Sequence, residues 1–112
     1  TLLYNTSGGN VSDATARLGG EEYAKRFVKK FSDDKTFENL KNAMAGGNAD
    51  DAFRAAHTLK GLAATLGFEN LRAVSSELTE ILRKKTFDGA NDAFKRVENE
   101  YGIVISAIKE LD

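Results

Sequence analysis

Cysteine and proline are both missing from this chain, and histidine occurs once, at position 57. Without cysteine there is no disulfide framework and no thiolate nucleophile, and one histidine with no cysteine argues against a buried zinc site. A surplus of charge is missing as well: 16 basic and 17 acidic side chains leave a formal net charge of -1. No field is therefore available to draw nucleic acid or an anionic membrane surface. Long hydrophobic runs are also lacking. The apolar stretch Ile103-Val104-Ile105 is far too short to cross a bilayer, and the first residues lack the charged and apolar blocks of a secretory signal. Asn5-Thr6-Ser7 matches a glycosylation triplet, which matters only in a secreted chain. These absences favour a cytoplasmic setting.

What is present suits one helical domain. The chain has 112 residues, 41% of them hydrophobic, enough for one core of packed layers. Its glycines stand as punctuation: Gly8-Gly9, Gly19-Gly20, Gly46-Gly47, Gly67 and Gly89. Residues 1–11 read as a leader or linker, and the lack of an initial methionine fits a piece of a longer protein. Residues 12–112 read as the domain.

Apolar periodicity predicts a short helix over Ser12 to Leu18, then one over Glu21 to Phe31 with Tyr23, Phe27 and Phe31 in a stripe. A third starts at Asp34, turns Phe37, Leu40, Ala43 and Met44 inward, and stops at Gly46-Gly47. Asn48 is the expected cap of a helix ending at Leu66-Gly67, and Glu69 to Lys84 carries Leu71, Val74, Leu78, Ile81 and Leu82 on one side. Asp88 is the expected cap of the last helix, through Leu111. No alternating strand pattern occurs. The expected fold is all-α, an antiparallel up-and-down four-helix bundle with one or two additional N-terminal helices capping it.

The helix carrying His57 holds the chemistry. At 100° per residue, Ala52, Ala55, Leu59, Leu62, Ala63 and Leu66 form its buried stripe, and His57 lies opposite. Around His57, at spacings of three, four and seven, come Phe53, Arg54, Lys60, Gly61 and Ala64. An exposed imidazole is largely neutral near pH 7 and acts as a nucleophile without an activating base, while Lys60 offers a cation to any anion the ring acquires. Gly61 costs about 1 kcal/mol in mid-helix, so something needs the space. It either admits tight helix packing or clears room for a partner's backbone or a phosphoryl group. Phe53 is either a core residue or an apolar contact at the rim of a docking surface. On the next helix Arg72, Ser76, Thr79 and Arg83 share an angle off the apolar stripe, placing them either in the same groove or on a solvated face.

The string Ala56-His57-Thr58-Leu59-Lys60-Gly61, followed by Ala63-Ala64 and Leu66-Gly67, resembles the signature of histidine-containing phosphotransfer domains, the HPt modules of multistep phosphorelays. The resemblance extends in helix order over roughly residues 12 to 111. It implies a four-helix bundle whose exposed histidine, here His57, accepts a phosphoryl group from a receiver domain's phospho-aspartate and passes it to another receiver. It implies further that Lys60 stabilises the added charge and Gly61 leaves room for it. Family members often carry a glutamine where this chain has Thr79, and Arg83 matches a position that is basic in some members. Phe53, Arg54, Ala64, Thr79 and Arg83 are the candidate docking residues.

Nothing in the chain matches G-x-x-x-x-G-K-[ST], so the expected role is a phosphocarrier without kinase activity of its own. No cofactor or metal is expected on this chain, since Mg2+ belongs to the partner receiver's carboxylates. Expected partners are response-regulator receiver domains, with a hybrid sensor histidine kinase as one source; nucleic acid and membrane are not expected, and the chain is expected to be a monomer. Two other readings stay open: a non-phosphorylated helical module docking a receiver or kinase, and the phosphoacceptor domain of a larger chemotaxis-type histidine kinase. An independent hydrolase has little support, because the paired carboxylates Asp33-Asp34 and Asp50-Asp51 suit helix starts.

Overall fold

The computed structural model describes residues 21–110, with the side chains of residues 21–25 and 27 left aside. Five helices make up these residues, and no strand occurs among them. They are α1 (Glu21–Asp33), α2 (Thr36–Ala45), α3 (Ala49–Leu66), α4 (Glu69–Arg83) and α5 (Ala90–Lys109). The expected leader, the short helix over Ser12 to Leu18, and the Tyr23 and Phe27 side chains lie outside what is described.

Local chemistry sets most of the boundaries. Asn48 caps α3: its side-chain oxygen accepts the Asp51 backbone N–H at 3.0 Å, satisfying one of the free donors at a helix start. At the other end Gly67 takes a left-handed φ of 80°, and the Phe68 N–H closes back on the Ala63 carbonyl at 2.9 Å. This closure delivers the Phe68 ring into the core, where it is fully buried. Gly47, φ 68°, plays the same part after α2, with the Asn48 N–H on the Ala43 carbonyl.

Two expected starts move inward. Asp34 stands outside α2, its carboxylate accepting the Thr36 N–H at 2.7 Å. Asp88 does not cap α5 either; Gly89, φ 80°, holds that position, and the Asp88 N–H is taken by the Thr86 hydroxyl. A left-handed cap residue is served by glycine, which has no Cβ to clash.

Consecutive helices pack on one another, α2 on α3, α3 on α4 and α4 on α5, while α1 touches α3 and α5. Aromatic rings link α2 to α5: Phe37 stacks on Tyr101 with centroids 4.1 Å apart and lies near Phe94 at 5.8 Å. Phe31 of α1 meets both Tyr101 and Phe68. Leu40, Leu59, Leu71, Leu78, Leu82, Val97 and Val104 fill the interior, each essentially unexposed. On α3 the buried stripe is Ala52, Ala55, Ala56, Leu59, Ala63 and Leu66, so Ala56 joins it and Leu62, expected inside, is only half-buried. These small and branched apolar residues are the side of α3 that packs on its neighbours, and they leave the opposite face of the helix outside.

Candidate functional site

That outer face carries His57. The imidazole is exposed in the middle of α3, on a helix whose opposite side is fully packed, so its position is fixed by the core rather than by a loop. The Phe53 ring, one turn earlier, is half-buried and nearly parallel to it, with 6.0 Å between centroids and 13° between planes. Lys60, three residues on, is half-buried on the same flank.

Gly61 resolves one of the open alternatives. A Cβ built there meets nothing within 4 Å, so none of the helices among the described residues needs the space. Tight packing among the described residues is therefore not the reason for a glycine at that position. Thr65 donates its hydroxyl to the Gly61 carbonyl at 3.0 Å, tying down the backbone beside the gap. Gly102 on α5 is equally open. What distinguishes Gly61 is its place one turn from an exposed imidazole.

The two sides of the His57 ridge differ. Toward α2, Arg54 pairs with Asp51 at 3.6 Å, and both line a groove of about 670 Å3 with Thr58, Thr36, Asn39 and Asn42. This flank is neutral and amide-rich. Toward α4, the Arg83 guanidinium lies over the Phe53 ring, 5.1 Å from its centroid, within the range of a cation–π contact. Arg83 is also held by Glu80, through Nη2 to Oε2 at 3.1 Å and Nε to both oxygens at 3.3 Å. The hydrogen bond from Arg83, followed by the charges of Arg83, Lys60 and Lys84, holds the Glu80 carboxyl below the usual carboxylate range against a partial desolvation.

Thr79 departs from expectation. It is 0% exposed, and its hydroxyl donates to the Ser75 carbonyl at 2.7 Å on its own helix. It is therefore not a docking residue, nor does it stand in for the family's glutamine beside the histidine. A threonine hydroxyl that bonds its own backbone four residues back needs no other partner, so α4 can turn it into the core. Arg72 is engaged by Glu69 and Ser76 is half-buried, so of the four residues sharing that angle, for which groove and solvated face were both open, Arg83 is the one the structure brings to Phe53. Glu80 was missed; its signal was the Glu80, Arg83 spacing of three on a helix. Ala64 is half-buried beyond Gly61.

Among the described residues no three His, Cys, Asp or Glu side chains converge to hold a metal ion. Among the same residues no helix is long and apolar enough to cross a membrane.

The described residues thus form an all-helical bundle that presents one imidazole on a packed helix, with a lysine in the next turn and open space beside it. The family model described as Hpt domain matches residues 27–107, and the chain belongs to the Hpt domain family. Membership implies a phosphotransfer role in two-component signalling, carried out without intrinsic kinase activity and through contact with response-regulator receiver domains. No match was found among curated proteins or among solved structures.

Proposed function

We infer that this chain is a phosphorelay intermediate whose His57 accepts a phosphoryl group from a receiver domain's phospho-aspartate and hands it to another receiver. The observation that carries the reading is the exposed imidazole one turn from a glycine whose missing side chain serves no packing among the described residues. In the forward step an unprotonated ring nitrogen bonds to phosphorus as the bond to the aspartate oxygen breaks, and the carboxylate leaves. The second step reverses this toward the next receiver. Because the transferred group is the same in both directions, the site must neutralise charge without trapping it. Lys60 answers the charge of about -2 that arrives on the ring, and Gly61 admits the group and the partner that brings it.

Phe53, Arg54, Ala64 and Arg83 form the surface on which the receiver docks, apolar at Phe53 and charged at its margins. Magnesium is supplied on the receiver's carboxylates. We read α2 to α5 as an antiparallel up-and-down bundle with α1 as a cap, a reading supported by the short connections between helices packed in chain order. We assign residues 12–112 to the domain and residues 1–11 to a leader, and place the protein in the cytoplasm as a monomer.

Incubation with a phosphorylated receiver tests this. The chain should acquire phosphate that is labile in acid and stable in alkali, and His57→Gln should abolish it. Equal labelling of His57→Gln overturns the assignment, and receiver binding by both forms without any labelling favours a plain interaction module.

A further inference from the structure

Glu80 is the residue on the site's flank that the phosphocarrier reading does not use. It is exposed on α4, it grips Arg83 through three contacts of 3.1 to 3.3 Å, and Arg83 in turn lies over Phe53, the ring stacked beside His57. Lys60 reaches the same carboxylate from α3 through its charge, as does Lys84 from the end of α4. A single carboxylate thus holds one cation, Arg83, in direct contact and lies within the field of two more, of which Lys60 shares the flank of the imidazole. Arg54, the remaining cation near His57, is engaged with Asp51 on the opposite flank.

We propose that Glu80 is a charge gate on phosphoryl occupancy of His57: it occupies Arg83 and offsets Lys60 while the ring is bare, and it repels the phosphoryl group once the ring is loaded. This rests on His57 being the acceptor. The physical sense is that of a donor kept from becoming a trap. With Lys60 and Arg83 both unopposed, a dianion on the ring is over-stabilised and leaves slowly. With Glu80 present the phosphoryl group must compete for the guanidinium with a partner already in place, and it carries a like charge against the carboxylate. Both effects raise the free energy of the loaded state relative to the bare one. Between exposed groups each is small, on the order of a twofold to fivefold change in equilibrium at physiological salt. That suits a relay, in which the group must move on.

Phosphoramidate loads the protein without any receiver. A neutral ring nitrogen bonds to phosphorus as the P–N bond of the donor breaks, ammonia leaves, and the proton on the other ring nitrogen equilibrates with solvent. The 31P resonance of the product is then titrated. Removing a nearby carboxylate favours the more ionised form, so Glu80→Gln should lower the midpoint by about half a pH unit, a threefold change. Arg83→Gln should raise it, and the shift from Glu80→Gln should shrink in the Arg83→Gln background, because no guanidinium is then released. A purely structural role for Glu80 would leave the midpoint where it is. A midpoint unchanged by Glu80→Gln, in protein whose His57 is demonstrably loaded, overturns the gate alone. No phosphohistidine signal, or one that persists in His57→Gln, overturns the acceptor assignment and the gate with it.

Discussion

The Phe53 ring lies almost parallel to the His57 imidazole, one turn away on α3, and it carries the Arg83 guanidinium of α4 on its surface. One aromatic side chain thereby connects the exposed ring to the neighbouring helix. It brings a cation of α4 onto the ring that neighbours the imidazole. The half-buried position of Phe53 fits this double service, with one edge in the packing and the other at the surface.

Truncation of Phe53 should therefore affect transfer more than folding. Phe53→Ala removes part of a half-buried side chain, and a stability loss of about 1–2 kcal/mol is expected. Phe53→Leu should regain most of that stability while leaving transfer from a phosphorylated receiver slow, since neither the ring stack nor the guanidinium platform returns. Thermal melts and single-turnover transfer rates separate the two quantities. Full transfer activity in Phe53→Leu would mean that apolar contact alone is needed there.

Lys60 makes a sharper electrostatic prediction. Its ammonium stands one turn from His57 and acts on Glu80 across the helix interface. Lys60→Gln should slow phosphoryl transfer roughly tenfold, about 1.4 kcal/mol of transition-state stabilisation, with little change in melting temperature. Lys60→Arg should restore part of the rate, and the deficit of Lys60→Gln should narrow as salt is raised. A salt-independent deficit would point to a packing role instead.

The two open glycines provide a matched pair. A Cβ at Gly61 or at Gly102 meets no atom within 4 Å, so alanine at either position should stabilise its helix by about 0.8–1 kcal/mol. Only Gly61→Ala should impair loading of His57 by a receiver, because only that methyl stands in the partner's approach. If both alanine variants transfer at the wild-type rate, the gap at Gly61 has no part in function.

The contrast between Gly67 and Thr79 marks how far the sequence could be read. Gly67 and Asn48 end and begin α3 through bonds within a few residues of themselves, so their roles follow from local chemistry. The His57, Lys60, Gly61 face is likewise a matter of spacing on one helix. Thr79 is different: the helical period relates it to Arg83 but does not say how α4 is rotated against α3. That rotation is set by Leu71, Leu78 and Leu82 seeking the core, and Thr79 accompanies them because Ser75 satisfies its hydroxyl. Glu80 reaches the site edge by the same rotation. The Phe37 and Tyr101 stack, joining helices far apart in the chain, had no local signal at all.

Lys85 ends α4 in a left-handed conformation, φ 56°, with its N–H on the Leu82 carbonyl at 2.9 Å. A side chain with a Cβ is strained there by about 1 kcal/mol, and glycine relieves the strain at some cost in unfolded-state entropy. Lys85→Gly should therefore stabilise the protein by about 0.5 kcal/mol, read as a higher urea midpoint. Lys84→Gly, at an ordinary φ of -81°, should destabilise it. Opposite signs for adjacent lysines would locate the strain at one residue.

Tyr101 should set an alkaline limit on the fold. Burial against Phe37, and secondarily the Asp34 carboxylate, push its phenol above the ordinary value of 10.0. The neutral form is thus favoured in the folded state. Below the unfolded-chain value both states keep the proton and nothing is lost; above it the unfolded chain releases the proton first, so stability falls as pH rises through the folded value. Tyr101→Phe keeps the stacked ring and removes the ionisation. Urea midpoints measured between about pH 9 and pH 11.5 should fall for the wild type more steeply than for Tyr101→Phe, the two converging below about pH 9. Parallel curves across that range would mean that the phenol ionises as readily in the fold as outside it, and that the aromatic cluster joining α2 to α5 is open to water.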